Sequence, residues 1–198
     1  KYGCIGDVLA RIQNGVNCKQ DKSGVGEKIT RIETIASSQI NYQKTGFAEL
    51  DEKQRDRARL ETGDILFSHI NSSIHVGKTA IYEGDEPLFH GINLLRLTTN
   101  EEVDSKYFNY FLISLFNGGY WERTAKQSVN QASVNQTDIK VVPFSYPPLP
   151  EQKRIVERLD RAFAEIESVM SSTADSKDNY ESLKSALLTQ ELTPEKAA

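Results

Sequence analysis

One stretch limits the fold of this chain more than any other: "YPPLPEQKRIVERLDRAF", beginning at Tyr146. Pro147, Pro148 and Pro150 end whatever precedes them, because proline fixes φ and offers no backbone N–H to a helix or a central strand. A strongly helical run starts at once. Pro150 is expected at the first helical position, where a missing N–H is no loss. Glu151 falls in the first turn, where the helix dipole favours a carboxylate. From there the apolar residues keep a seven-residue register. Ile155, Leu159, Ala162, Ile166, Val169, Thr173, Ser176, Tyr180, Leu183 and Leu187 alternate spacings of four and three. The seam is apolar at both ends and polar in the middle, so "TADSKDN" (173–179) leaves two readings open. These are one continuous helix, or a turn between two shorter ones. A continuous helix would reach roughly 50 Å or more at ~1.5 Å per residue. One small domain cannot cover so long an apolar edge. The expected partner is a helix from a second copy, from another half of a longer chain, or from another protein.

The rest of the sequence divides around that hinge. Residues 1–146 are expected to form one globular domain, 147–192 a helical spacer that dimerises, and 193–198 a disordered tail. At 198 residues, 38% of them hydrophobic, the chain has material for one core and an appendage. No stretch approaches the ~20 apolar residues that span a bilayer, and no apolar signal core stands in the first 30 residues, which points to the cytoplasm and away from a membrane. Lys1, not methionine, stands first. Cys4 and Cys18 make no disulfide framework and lack the companions of a zinc site, so both are read as reduced thiols.

The expected elements run as follows. "IGDVLARIQ" (5–13) reads as a short amphipathic helix, and a polar loop with Lys19, Lys22 and Lys28 follows. "ITRIETI" (29–35) reads as a strand. "DEKQRDRARLETGD" (51–64) reads as a solvated charged stretch ending in a turn at Gly63 and Asp64. "ILFSHI", "HVGKTAIY" and "FHGINLLRL" read as strands. "VDSKYFNYFLISLFNGG" reads as a buried helix closed by Gly118 and Gly119. "IKVVPF" reads as a short strand. Helices and strands mix without a βαβ rhythm, so the fold class is α+β.

Several enzyme chemistries are excluded. "VGKT" at Val76 lacks the glycine that a phosphate-binding loop needs five residues before Gly77; Ser72 stands there. G-x-G-x-x-G is missing. "SYPPL" does not fit the Asn/Asp/Ser-Pro-Pro-aromatic stretch of an adenine methyltransferase. Glu151 and Lys153 with Asp138 only faintly suggest a nuclease, and dipole and solubility roles explain them more cheaply. His69, His75 and His90 have no Cys or carboxylate spacing that completes a zinc site. No catalytic, metal or cofactor site is expected.

"PPLPEQKRIVERLD" resembles the start of the conserved helical region in specificity subunits of Type I restriction–modification enzymes. "GDILFSHINSSIHVGKTAIY" from Gly63 and "QASVNQTDIKVVPFSYPPLPEQ" from Gln131 look like parts of their target recognition domains. The order of recognition domain, strand, proline hinge and helix matches. Family members typically carry two recognition domains and two helical regions in tandem; here there is one of each. The resemblance implies a non-catalytic DNA-reading subunit, in a half-length form or as a fragment. It implies binding to double-stranded DNA, docking of methyltransferase subunits and association with a restriction translocase. Two copies joined through the helix would read an interrupted palindrome. A recognition tail of a fused restriction-methylation enzyme, or a coiled-coil assembly adaptor, are the other readings.

The recognition surface varies within that family, so candidate DNA contacts come from chemistry. Asn and Gln suit adenine, Lys and Arg suit guanine, and hydroxyls suit either. The net charge of -4 does not advertise a nucleic-acid binder, yet Lys and Arg outnumber Asp and Glu over residues 1–31. The early loop offers Asn14, Lys19 and Lys22. The loop "SHINSSIHVGK" offers Ser68, His69, Asn71, Ser72, Ser73, His75 and Lys78. The doubled "SVNQ" offers Gln127, Asn130, Gln131 and Asn135.

Overall fold

The computed structural model describes residues 1–84, 86–128 and 131–192, with side chains through Thr173 and at Ser176. Asn130 and the expected tail 193–198 lie outside the described residues. Two units emerge, residues 1–153 and 154–198.

The first unit is built of antiparallel ladders. Strands β1 (Tyr2–Cys4), β2 (Leu9–Asn14), β3 (Glu27–Ile29) and β4 (Gly46–Ala48) come first, with helix α1 (Ile5–Val8) between β1 and β2. Next are α2 (Glu52–Ala58), β5 (Ile65–Phe67), β6 (Ile70–Asn71), β7 (Thr79–Ile81) and β8 (Leu95–Thr99). Helices α3 (Ser105–Asn117) and α4 (Tyr120–Thr124) follow, then β9 (Lys126–Ser128) and β10 (Gln131–Ser133), α5 (Gln136–Lys140) and β11 (Pro143–Ser145). The largest sheet has the order β2-β8-β5-β7, a three-stranded ribbon the order β6-β10-β9, and β1 pairs with β11. The arrangement is α+β.

The main core forms where α3 covers that sheet. Asp104 caps α3 by accepting from the N–H groups of Lys106 and Tyr107. Phe108 and Leu112, one turn apart on the helix, are fully buried with Ile65, Phe67 and Leu97. Trp121 of α4 meets Phe67 edge to face at 5.1 Å. Each such side chain contributes about 1.5–3 kcal/mol on burial. One buried ion pair crosses the sheet, Arg96 Nη2 to Asp64 Oδ2 at 2.6 Å. Thr98 donates to the other Asp64 oxygen at 2.6 Å.

Five expectations need correction. The helix over 5–13 stops at Val8, because Leu9–Asn14 takes its backbone hydrogen bonds from β8, with Ile12 opposite Leu97. The strand over 29–35 stops at Ile29; Ile32–Ile35 is a 3-10 turn. The Thr34 hydroxyl clips it, accepting from Arg31 N–H and donating to Lys44 C=O, each at 2.9 Å. The charged stretch over 51–64 contains α2, whose N-terminus carries a reciprocal cap. Asp51 accepts from Gln54 N–H at 2.8 Å, and Gln54 accepts from Asp51 N–H at 3.1 Å. "FHGINLLRL" becomes a strand only at Leu95, and "IKVVPF" only at Pro143, since Gln136–Lys140 is helical.

The hinge opens into α6 (Leu149–Leu192), a helix of 44 residues with Glu151 in its first turn. It starts one residue before Pro150 and runs through 173–179 without a break. Gln152 is fully buried and ties the first turn down. Its amide donates to Glu102 C=O at 3.0 Å and Pro147 C=O at 2.9 Å, and its carbonyl accepts from Asp104 N–H at 2.8 Å. In the second unit Ala162 and Ile166 are exposed, as is Val169 with its neighbour Met170. Ile155 and Leu159 are half-buried. The side chains of Tyr180, Leu183 and Leu187 lie outside the described residues.

Candidate nucleic-acid interface

Ser68–Lys78 folds into a compact turn, not an open hairpin connection. Backbone bonds close it from Gly77 N–H to Ser68 C=O and from Ser68 N–H to Lys78 C=O, both 2.8 Å. Gly77 has φ +88°, and a Cβ there would stand 2.1 Å from the Trp121 ring, so only glycine fits this bend. The buried Ser68 hydroxyl accepts from Asn71 Nδ2 at 3.0 Å, and Asn71 Oδ1 accepts from Ser72 N–H at 2.8 Å. Ser68 thus holds Asn71 in place and is itself turned inward.

The ladder of β6 with β10 brings this turn beside the "SVNQ" segment, Asn71 opposite Ala132 and Ile70 opposite Ser133. A third segment arrives through two glycines. Gly15 passes so close to Gly91 that a Cβ on Gly15 would lie 2.3 Å from the Gly91 carbonyl. Val16 N–H donates to His90 C=O at 2.9 Å, and Ile92 N–H to Val16 C=O at 3.1 Å. Asn14 and Ile92 are thereby held together.

The result is an open groove of about 780 Å³. Asn14 comes from the end of β2, His69 to Ser72 from the turn, Gln131 from β10, Ile32 from the 3-10 turn, and Ile92 and Asn93 from the loop before β8. Among the described residues no Lys, Arg, Asp or Glu lines it. His69 forms an inner wall, 7% exposed, and its Nδ1 has no hydrogen-bond partner among the described residues. Burial pushes its pKa below the usual histidine value, favouring the neutral ring. A second groove of about 440 Å³ shares Asn14 and Ile92 and carries Lys53 and Arg57 of α2 with Asp51. His90, next to the Gly91–Asn93 turn, is fully buried. Burial holds it at about pKa 4, against the opposing 2.9 Å bond of its Nε2 to Leu94 C=O.

Of the candidates named from sequence, Asn14, His69, Asn71, Ser72 and Gln131 converge on the first groove. The other described candidates stand elsewhere. Lys19 and Lys22 are exposed in the early loop, while Ser73 and His75 sit on the turn outside the lining. Lys78 donates to Ala36 C=O at 2.7 Å and lies over the Phe116 ring. Gln127 donates to Glu122 C=O at 3.3 Å, and Asn135 caps α5 by accepting from Asp138 N–H at 2.9 Å. Sequence reasoning missed Ile32, Ile92 and Asn93, whose segments read as strands, and Lys53 and Arg57, whose segment read only as solvated charge. The reciprocal cap of Asp51 and Gln54 was the signal available for α2.

The lining offers amide and hydroxyl groups beside aliphatic surface. Among the described residues no three His, Cys, Asp or Glu cluster as a metal site. Nor is any helix long and apolar enough to cross a membrane.

Fold and groove together present an open surface of amide, hydroxyl and aliphatic groups. The model of the Type I restriction modification DNA specificity domain matches residues 1–172, and the chain belongs to that family. The chain is 48% identical over 157 residues to the type I restriction enzyme MjaX specificity subunit of Methanocaldococcus jannaschii, whose own assignment is provisional. That match covers 77% of this chain and 37% of the relative. Against the EcoKI specificity subunit of Escherichia coli K12 it is 27% identical over 165 residues, 82% of this chain and 36% of the relative. A solved structure from a study of type I restriction–modification complex assembly superimposes with a TM-score of 0.74. Its sequence identity is 19%, covering 96% of this chain and 45% of that one. The chain thus spans well under half the length of the relatives it matches.

Proposed function

We propose that this chain is a sequence-reading unit of a type I restriction–modification system. Its globular domain grips one half-site of duplex DNA, and its long helix sets the distance to a second. The convergence of three separate segments on one uncharged, amide-lined groove carries this reading. In it, Asn14, His69, Asn71, Ser72 and Gln131 face the DNA, and Lys19 and Lys22 serve phosphates. Residues 1–146 form the recognition domain and 147–192 the spacer. The span relative to longer family members favours one half of a tandem arrangement. A second copy joined along Ile155, Leu159, Ala162, Ile166 and Val169, or the other half of a longer chain, completes it. The completed helices dock the methyltransferase subunits, and the chain itself performs no chemistry.

The test is duplex binding followed by fluorescence anisotropy across ionic strength. Phosphate contacts release counterions, so log K should fall linearly with log salt. Absence of binding at low salt, or binding indifferent to salt, overturns the reading.

A further inference from the structure

The two grooves divide charged from uncharged chemistry. Lys53 and Arg57 stand in the smaller one, on exposed α2, while among the described residues no charged side chain lines the larger. Lys and Arg are common phosphate partners, while Asn, Gln and apolar side chains suit the edges of adenine and thymine. Within the larger groove the amides are not equivalent. Asn71 is committed to Ser68 and Ser72, and Asn14 accepts from Gln136 at 3.0 Å. Gln131 and Asn93 are exposed, and no hydrogen bond of their side chains is found among the described residues. Beside them Ile70 and Ile92 present exposed aliphatic surface, 36% and 38% accessible.

Resting on the reading of this groove as a DNA surface, we propose that it reads A·T base pairs in the major groove. The Gln131 and Asn93 amides take adenine, Ile70 and Ile92 pack on thymine methyls, and Lys53 and Arg57 hold the flanking phosphates. Adenine offers N7 as acceptor and N6–H as donor, which one carboxamide meets at once. The thymine methyl wants an apolar neighbour. Guanine presents two acceptors on the same edge, which suit a guanidinium, and among the described residues none lines the groove.

The test is selection by the full chain from duplexes with a randomised central segment, repeated with Gln131→Ala, Asn93→Ala and the pair Lys53→Ala/Arg57→Ala. All are exposed positions, and unchanged thermal melts confirm that the variants fold. The wild type should enrich a motif containing A·T columns. Each amide variant should relax one of those columns by roughly 5- to 150-fold. The cationic pair should weaken all sequences alike and reduce the salt slope by about 1 per lost contact. If the amide variants leave the motif unchanged, or relax G·C columns, this inference fails while DNA recognition stands. If the wild type enriches nothing, DNA recognition itself fails.

Discussion

Stability should fall with acid in a way that one buried imidazole explains. His90 is held at about pKa 4 in the folded protein, whereas a histidine in the unfolded chain titrates near ~6.5. Its contribution is therefore fully present above pH ~6.5. It is lost as pH falls toward 4, because the unfolded chain takes up a proton that the fold refuses. At pH 5 the difference spans about 1.5 units, or about 2 kcal/mol at ~1.36 kcal/mol per unit. Urea denaturation at pH 8 and pH 5, at fixed protein concentration, should show a midpoint lower by roughly 1 M for a slope of ~2 kcal/mol/M. Carboxylates held low, such as Glu27 and Glu33, act in the same direction but below about pH 4.5. His69 contributes with the same sign. His90→Gln keeps an amide donor for Leu94 C=O and removes the titration, so the variant should lose much less between the two pH values. Equal losses in both proteins would refute the argument. So would a histidine proton resonance of the folded wild type showing His90 titrating above pH 6. The same imidazole braces residues 90–94, which carry Ile92 and Asn93 to the groove, so its protonation and the integrity of that wall are linked.

Three further outcomes are expected. Gly77→Ala would combine a left-handed backbone with a Cβ driven into the Trp121 ring, costing about 2–4 kcal/mol and lowering Tm by roughly 5–15 °C. A melt within 1 °C of wild type (~0.3 kcal/mol) would show the bend is not as tight as described. Gln152→Ala would strip partners from Glu102 C=O, Pro147 C=O and Asp104 N–H. At ~1–3 kcal/mol for a buried unpaired group it should destabilise by at least ~2 kcal/mol in urea, and a neutral result would refute its anchoring role. Ile166→Asp, at a position 53% exposed, should leave the melt of the globular unit unchanged while halving the mass in light scattering. An unchanged mass means that α6 is not a self-association seam.

What was legible in the sequence was local. The prolines and the heptad spacing from Ile155 gave α6 its start and course. The aromatic spacing from Phe108 to Leu112, with the glycine pair after it, gave α3. Short elements failed where their backbone partners are distant. Residues 9–14 fit a helical period, yet β8, over eighty residues away, claims their hydrogen bonds. The groove was legible in parts. Asn14, Asn71 and Gln131 carry the right chemistry wherever they stand, but only the β6–β10 ladder and the close passage of Gly15 by Gly91 bring them together. Neither contact has a local signature. Ile92 and Asn93 were invisible for the same reason, since their role comes from the turn that His90 braces and not from their spacing.

The most direct measurement is amide hydrogen exchange of the full chain, with and without a duplex recovered by selection. Slowed exchange should concentrate at Ser68–Ser72, Ile92–Asn93 and Gln131, with a weaker effect on α2. Protection confined to other surfaces, with these segments exchanging as in the free protein, would mean that the groove is not where DNA is read.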